Sequence, residues 1–174
     1  MRAIGKGSLA SLLAIGLHFT RIILWIAFFG LTIAMLTVPF IPAILDLFQS
    51  SDSINVDVDT DDIESAGEFI EVAYYFVTVA VMLFVVNRLL EILKTLRFGS
   101  PFVKENADRF RSVGYALLLG ELAKFAFGFL TLFVDDNVDI NSSMFSWLAI
   151  IAVFVLSEVF HEGSRMKEEQ DLTV

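Results

Sequence analysis

Residues 22–45 read IILWIAFFGLTIAMLTVPFIPAIL and carry no charge. At about 1.5 Å per residue, a helix of this length crosses a hydrocarbon core ~30 Å thick with some tilt. Pro39 and Pro42 loosen its far end. Three more apolar runs follow, near 69–90, 113–134 and 142–160. Each approaches the roughly twenty residues that a spanning helix needs. The chain has 174 residues, is 56% hydrophobic and contains eighteen Phe. The expected fold is an all-α membrane protein: one domain, 1–174, of four transmembrane helices with cytoplasmic helical extensions.

Charge placement orients the spans. The formal net charge is −9, but nine acids lie between Asp46 and Glu71 and three more between Asp135 and Asp139, with no Lys or Arg among them. Without those two loops, twelve bases face nine acids. The bases sit at the N-terminus (Arg2, Lys6, Arg21), in the second connection (Arg88, Lys94, Arg97, Lys104, Arg109, Arg111) and in the tail (Arg165, Lys167). An excess of Lys and Arg marks cytoplasmic loops, so both termini and the second connection are expected inside, and 46–68 forms an acidic extracytoplasmic loop. The acidity belongs to loops and gives no reason to expect nucleic-acid binding. Ser8 to Thr20 is apolar and either lies in the inner interface or extends the first helix inward.

The second connection has structure of its own. Arg88, Glu91, Lys94 and Arg97 recur every three residues and form a charged stripe on an extension of the second helix. Gly99 suits a helix stop, and Ser100 with Pro101 suits an N-cap and first turn of the next. In the outer loop, Ile54, Val56 and Val58 alternate with Asn55, Asp57 and Asp59, which favours a short extended segment. Asp61 and Glu64 resemble a capping pair for the second helix.

No metal site is expected. The nearest approach is DVDTDDIESAGE, which sets Asp57, Asp59, Asp61 and Glu68 at calcium-loop positions. Asp62 stands where the sharp turn needs Gly, and no helix pattern precedes the loop. There is no Cys, and His18 and His161 lie far apart. No phosphate loop or nucleophile elbow occurs, so neither a cofactor nor an enzyme activity is expected.

The third span carries Glu121 and Lys124, and the fourth ends near Glu158. An isolated charge at bilayer centre costs at least about 2.5–3.5 kcal/mol, so these groups need partners. Glu121 and Lys124 can meet at i, i+3. With four level spans, Glu158 is the first candidate from another helix, followed by Arg88 and Arg21. Two readings stay open for this charge cluster: a polar clamp that sets helix register, and an ion, proton or ligand site. The small residues Gly114, Gly120, Ala123, Ala126 and Gly128 allow close approach of a neighbouring helix or of a second copy in a homo-oligomer.

The chain closes FHEGSRMKEEQDLTV, and its middle corner reads GSPFVKENADRFRSVG. Together these resemble a bacterial membrane family, domain-of-unknown-function family 2975. Its members close with an aromatic or aliphatic residue, a Gly, and acid-rich turns ending in Leu-Thr-Val, here Phe160, Gly163, Leu172, Thr173 and Val174, with Asp171 before them. The corner matches at Gly99, Pro101, Phe102, Glu105, Asn106, Arg109 and Gly114. The resemblance implies a multi-pass protein of the bacterial cell membrane with no established biochemical activity. Members commonly lie beside genes for small helix-turn-helix regulators, which implies a membrane partner for such a protein. The corner and tail residues are then a candidate cytoplasmic partner surface, or else they dock the tail on its own fold. The favoured expectation is a regulatory or scaffolding membrane protein. The alternative is a small transporter or ion-responsive module that uses the intramembrane charges.

Overall fold

The computed structural model describes residues 9–41, 43–44, 65–98, 101–133 and 142–172. Four long helices hold nearly all of them: α1 (Leu9–Thr37), α2 (Ser65–Phe98), α3 (Lys104–Thr131) and α4 (Met144–Asp171). No strand occurs among the described residues. All four helices are long and apolar enough to cross a membrane. The expected extended segment at 54–59 and the capping pair at 61 and 64 lie outside the described residues.

α1 runs unbroken from Leu9, so the apolar residues before Arg21 join the first span in one helix. Nothing in LASLLAIGLHFT interrupts the hydrogen-bond ladder. The hydroxyls of Thr20 and Thr32 donate back to the Gly16 and Phe28 carbonyls at 3.1 and 2.7 Å, which satisfies polar atoms on a helix that faces lipid. The helix tightens into a 3-10 turn at Val38–Phe40, where Pro39 has no N–H to continue the ladder. At the second corner the start of α3 differs from expectation. Its N-cap is Val103, with extended backbone, rather than Ser100. Pro101 stays outside the helix because its carbonyl accepts a hydrogen bond from the Asn106 side chain at 3.0 Å.

The helices pack in chain order, α1 on α2, α2 on α3 and α3 on α4, with no comparable contact between α1 and α3 or α4, or between α2 and α4. This is an open row. Phe29, Ile33, Leu119, Phe129 and Ile151 are each more than half exposed, as suits a lipid-facing surface.

The row is not level. α2 and α3 run side by side, with Tyr74 against Phe127, Val81 beside Gly120 and Glu91 against Arg109. α4 is displaced toward the end of the molecule that carries Arg21, Arg88 and Arg109, here called the basic end. Its contacts with α3 show the offset: Trp147 meets Phe125, Phe154 meets Gly114, Ser157 meets Ala107, and Gly163 meets Phe102. α4 therefore starts beside Glu121 to Phe125, and α3 continues past it to Thr131. Six to ten residues of offset correspond to about 9–15 Å. At the basic end α4 overshoots the start of α3 and continues to Asp171.

Packing is tightest where α2, α3 and α4 overlap. Ile92, Ala107, Val113 and Ser157 are 3% exposed or less. On α4 the buried residues Ile150, Ser157 and Ser164 recur every seven residues, the spacing of a coiled-coil seam. Two of the three are serines, so the backbones can approach closely. The Ser157 hydroxyl donates to the Ala107 carbonyl at 2.9 Å across that seam.

The Gly163 contact is unusually close: a Cβ there would lie 2.5 Å from Cδ1 of Phe102. Gly163→Ala is expected to lower stability by about 1–3 kcal/mol, the range for overpacking. Adding Phe102→Ala should relieve the clash, so the double variant loses less than the two singles combined. Thermal unfolding in detergent measures all three, and strictly additive losses would contradict the contact.

Candidate functional site

Two polar networks are built into this row, one at the α2–α3 corner and one at the start of α4. At the corner, Glu91 of α2 accepts from Arg88 Nη1 at 2.8 Å and pairs with Arg109 Nε at 3.3 Å. Arg109 Nη1 donates to Thr95 Oγ1 and to Asn106 Oδ1, both at 2.9 Å. Asn106 Nδ2 completes the path to the Pro101 carbonyl. Asn106 is fully buried, so each of these bonds replaces one that water would have made. The guanidinium fork reaches three partners at once, a geometry that a lysine does not offer.

These bonds give the corner residues a structural role. Pro101, Asn106 and Arg109 are used inward, and Phe102 covers Gly163 while packing against Phe160 at 5.5 Å between ring centres. Phe110 meets the same Phe160 ring at 4.9 Å. Of the proposed partner surface, Phe102, Glu105, Asp171 and Leu172 remain exposed. Gly99, Thr173 and Val174 lie outside the described residues.

The second network surrounds Glu121. Its side chain is 6% exposed, and Oε1 accepts from Lys124 Nζ at 2.8 Å. Oε2 accepts from the Ser142 hydroxyl at 2.9 Å, and the Ser146 side chain lies close to the carboxylate. The Ser142 oxygen in turn accepts from Trp147 Nε1 at 3.2 Å. Ser143 caps α4 by accepting from the Phe145 N–H at 3.2 Å. A carboxylate in the middle of the apolar run of α3 is thus met by one ammonium and by hydroxyls from the start of α4.

The five charges expected to cluster do not gather. Glu158 pairs with Arg111 at 3.6 Å, with its side chain 64% exposed, and stays apart from Glu121. The physical reason is the offset of α4, which sets Glu158 beside the first turns of α3 rather than beside its middle. Arg88 is held by Glu91 and stands over the Phe84 ring at 5.1 Å. Arg21 meets Arg88 only as a fellow lining residue of a groove between α1 and α2. Ser142 and Ser146 were missed because level spans place them far above Glu121. The seven-residue spacing of Ile150, Ser157 and Ser164 marks the face of α4 that packs, and carries no signal for its offset along α3.

No group of three or more His, Asp or Glu suited to a metal occurs among the described residues. Asp57, Asp59 and Asp61 of the calcium-like pattern lie outside them, and Glu68 is in the first turn of α2, where a negative charge suits the helix dipole.

The network at Glu121 is tested by stranding its charge. Lys124→Met should cost at least about 2.5 kcal/mol, because the carboxylate loses its counter-charge in an apolar setting. Combining it with Glu121→Gln should recover most of that loss, since the amide oxygen still accepts from the serines. Melting temperatures in detergent that do not separate the two variants from the parent would remove the clamp.

No curated protein and no solved structure matches the chain. A family model does, over residues 31–174, which include the α2–α3 corner, the Glu121 network and the whole of α4. The chain therefore belongs to the family described as protein of unknown function (DUF2975).

Proposed function

We propose that this chain is a regulatory or scaffolding protein of the bacterial cell membrane, without enzyme activity, that docks a cytoplasmic protein at its basic end. The positive-inside bias supports the orientation, with both termini in the cytoplasm. The observation that carries the reading is the overshoot of α4. Beyond its contact with Phe102 the helix continues to Asp171 and exposes Glu162, Arg165, Met166, Glu168 and Glu169. Arg165 bridges Glu162 and Glu169 along the exposed face, each at 3.4 Å. Behind it, Ser164 is buried and the Asn106–Arg109 network braces the corner. A helix held in place before binding saves the ordering cost that a loose tail would incur.

Its charge suggests the kind of partner. From Glu162 to Asp171 there are four acids and two bases, and Met166 and Leu172 add exposed apolar surface at 57% and 87%. A protein that binds DNA presents a basic face to phosphate. Such a face complements this helix, so a helix-turn-helix regulator fits the platform.

A photocrosslinking residue at Met166 or Leu172, in the full chain and in native membranes, should capture a cytoplasmic protein that the same residue at lipid-facing Phe29 does not. Glu162→Lys with Glu168→Lys should abolish that capture while leaving the melting temperature within a few degrees of the parent. If position 166 captures nothing cytoplasmic, and solute or proton flux is lost on Glu121→Gln, the chain is a small transporter and the docking reading fails.

A further inference from the structure

Two guanidiniums enter one groove from neighbouring helices at the basic end. Arg21 of α1 and Asn87 and Arg88 of α2, with Phe84, Leu90 and Glu91, line a hollow of about 390 Å³. Its charges do not balance. The Glu91 carboxylate is shared between Arg88 and Arg109. Among the described residues Arg21 makes no ion pair, and the Asn87 amide makes no hydrogen bond. Two guanidiniums thus share one carboxylate and Arg21 has none, and Arg21 and Arg88 both line the groove.

The place is as informative as the charge. Arg21 directly precedes the uncharged run 22–45, so the groove lies where the charge-free part of α1 begins. On α1 the residues just above it, Ile22 and Trp25, are apolar and exposed. Arg88 is already positioned by Glu91 on one side and the Phe84 ring on the other, and its side chain stays 38% exposed.

The geometry points to a binding site for the phosphate of an anionic lipid, held by Arg21, Arg88 and Asn87 at the headgroup level between α1 and α2. Guanidinium forks match phosphate oxygens in pairs, and the Asn87 amide adds a neutral donor. Basic pockets between spanning helices take acidic headgroups, and the exposed apolar residues of α1 accommodate the acyl chains. The lipid supplies the missing negative charge and fastens α1 to the α2–α3 corner through Arg88 and Glu91. In a row where α2 is the main neighbour of α1, this ties an end helix to the rest. The site is independent of the docking reading and needs only that the helices span a bilayer.

Native mass spectrometry of the detergent-purified full chain tests it, with phosphatidylglycerol, phosphatidylcholine and inorganic phosphate as probes. The parent should retain phosphatidylglycerol in preference to phosphatidylcholine and melt at a higher temperature with it. Arg21→Gln should weaken retention roughly fivefold and Arg21→Gln with Arg88→Gln roughly thirtyfold. Arg21 has no ion-pair partner to lose among the described residues, so the single variant keeps the test valid even where the double variant melts early. Lys94→Gln, on α2 but outside the groove, should change nothing. Equal retention of both lipids, or an equal loss from Lys94→Gln, would overturn the site as mere surface attraction. Inorganic phosphate raising the melting temperature as much as the lipid does would overturn the lipid assignment in favour of a free anion.

Discussion

The register of α4 against α3 is the constraint on which the rest depends. It is set by small residues opposite large ones: Gly114 under Phe154, Gly163 under Phe102, and Ser157 bonded to the Ala107 carbonyl. A shift by one turn would drive the Phe154 ring away from its glycine and strand the Ser157 hydroxyl in an apolar seam. Close packing and hydrogen bonding therefore select the same alignment.

The Glu121 network follows from that alignment. Because α4 begins level with Glu121, its first serines can satisfy a carboxylate that would otherwise be costly in an apolar run. Because its other end overshoots the start of α3, Glu158 falls beside Arg111 and the tail helix runs on past Gly163 to Asp171. The corner is rigid for a separate reason: Asn106 and Arg109 convert a turn between two helices into a bonded unit. The basic end is thus where packing, hydrogen bonds and exposed charge coincide.

Part of the site was legible before any coordinates. Glu121 and Lys124 at i, i+3 meet because that spacing places them on one face of any helix. The charged stripe from Arg88 to Lys94 and the helical corner around Pro101 were readable from periodicity and breaker residues. The partner of Glu158 was not, because pairing it with Glu121 assumed that four apolar runs lie level. The N-cap of α3 was not, because Ser100 and Pro101 satisfy local rules that the burial of Asn106 overrides.

The sequence by itself determined the all-α class and the four spans, because uncharged length and 3.6-residue periodicity act within one helix at a time. It also determined the asymmetry of charge between the two ends, since that is a count along the chain. The tertiary structure alone decided that the helices form an open row, that α4 is offset, and that Arg21 and Arg88 share a groove. Those features depend on which side chains interlock between helices. Apolar length carries no information about that, since lipid and a neighbouring helix are almost equally good solvents for a leucine.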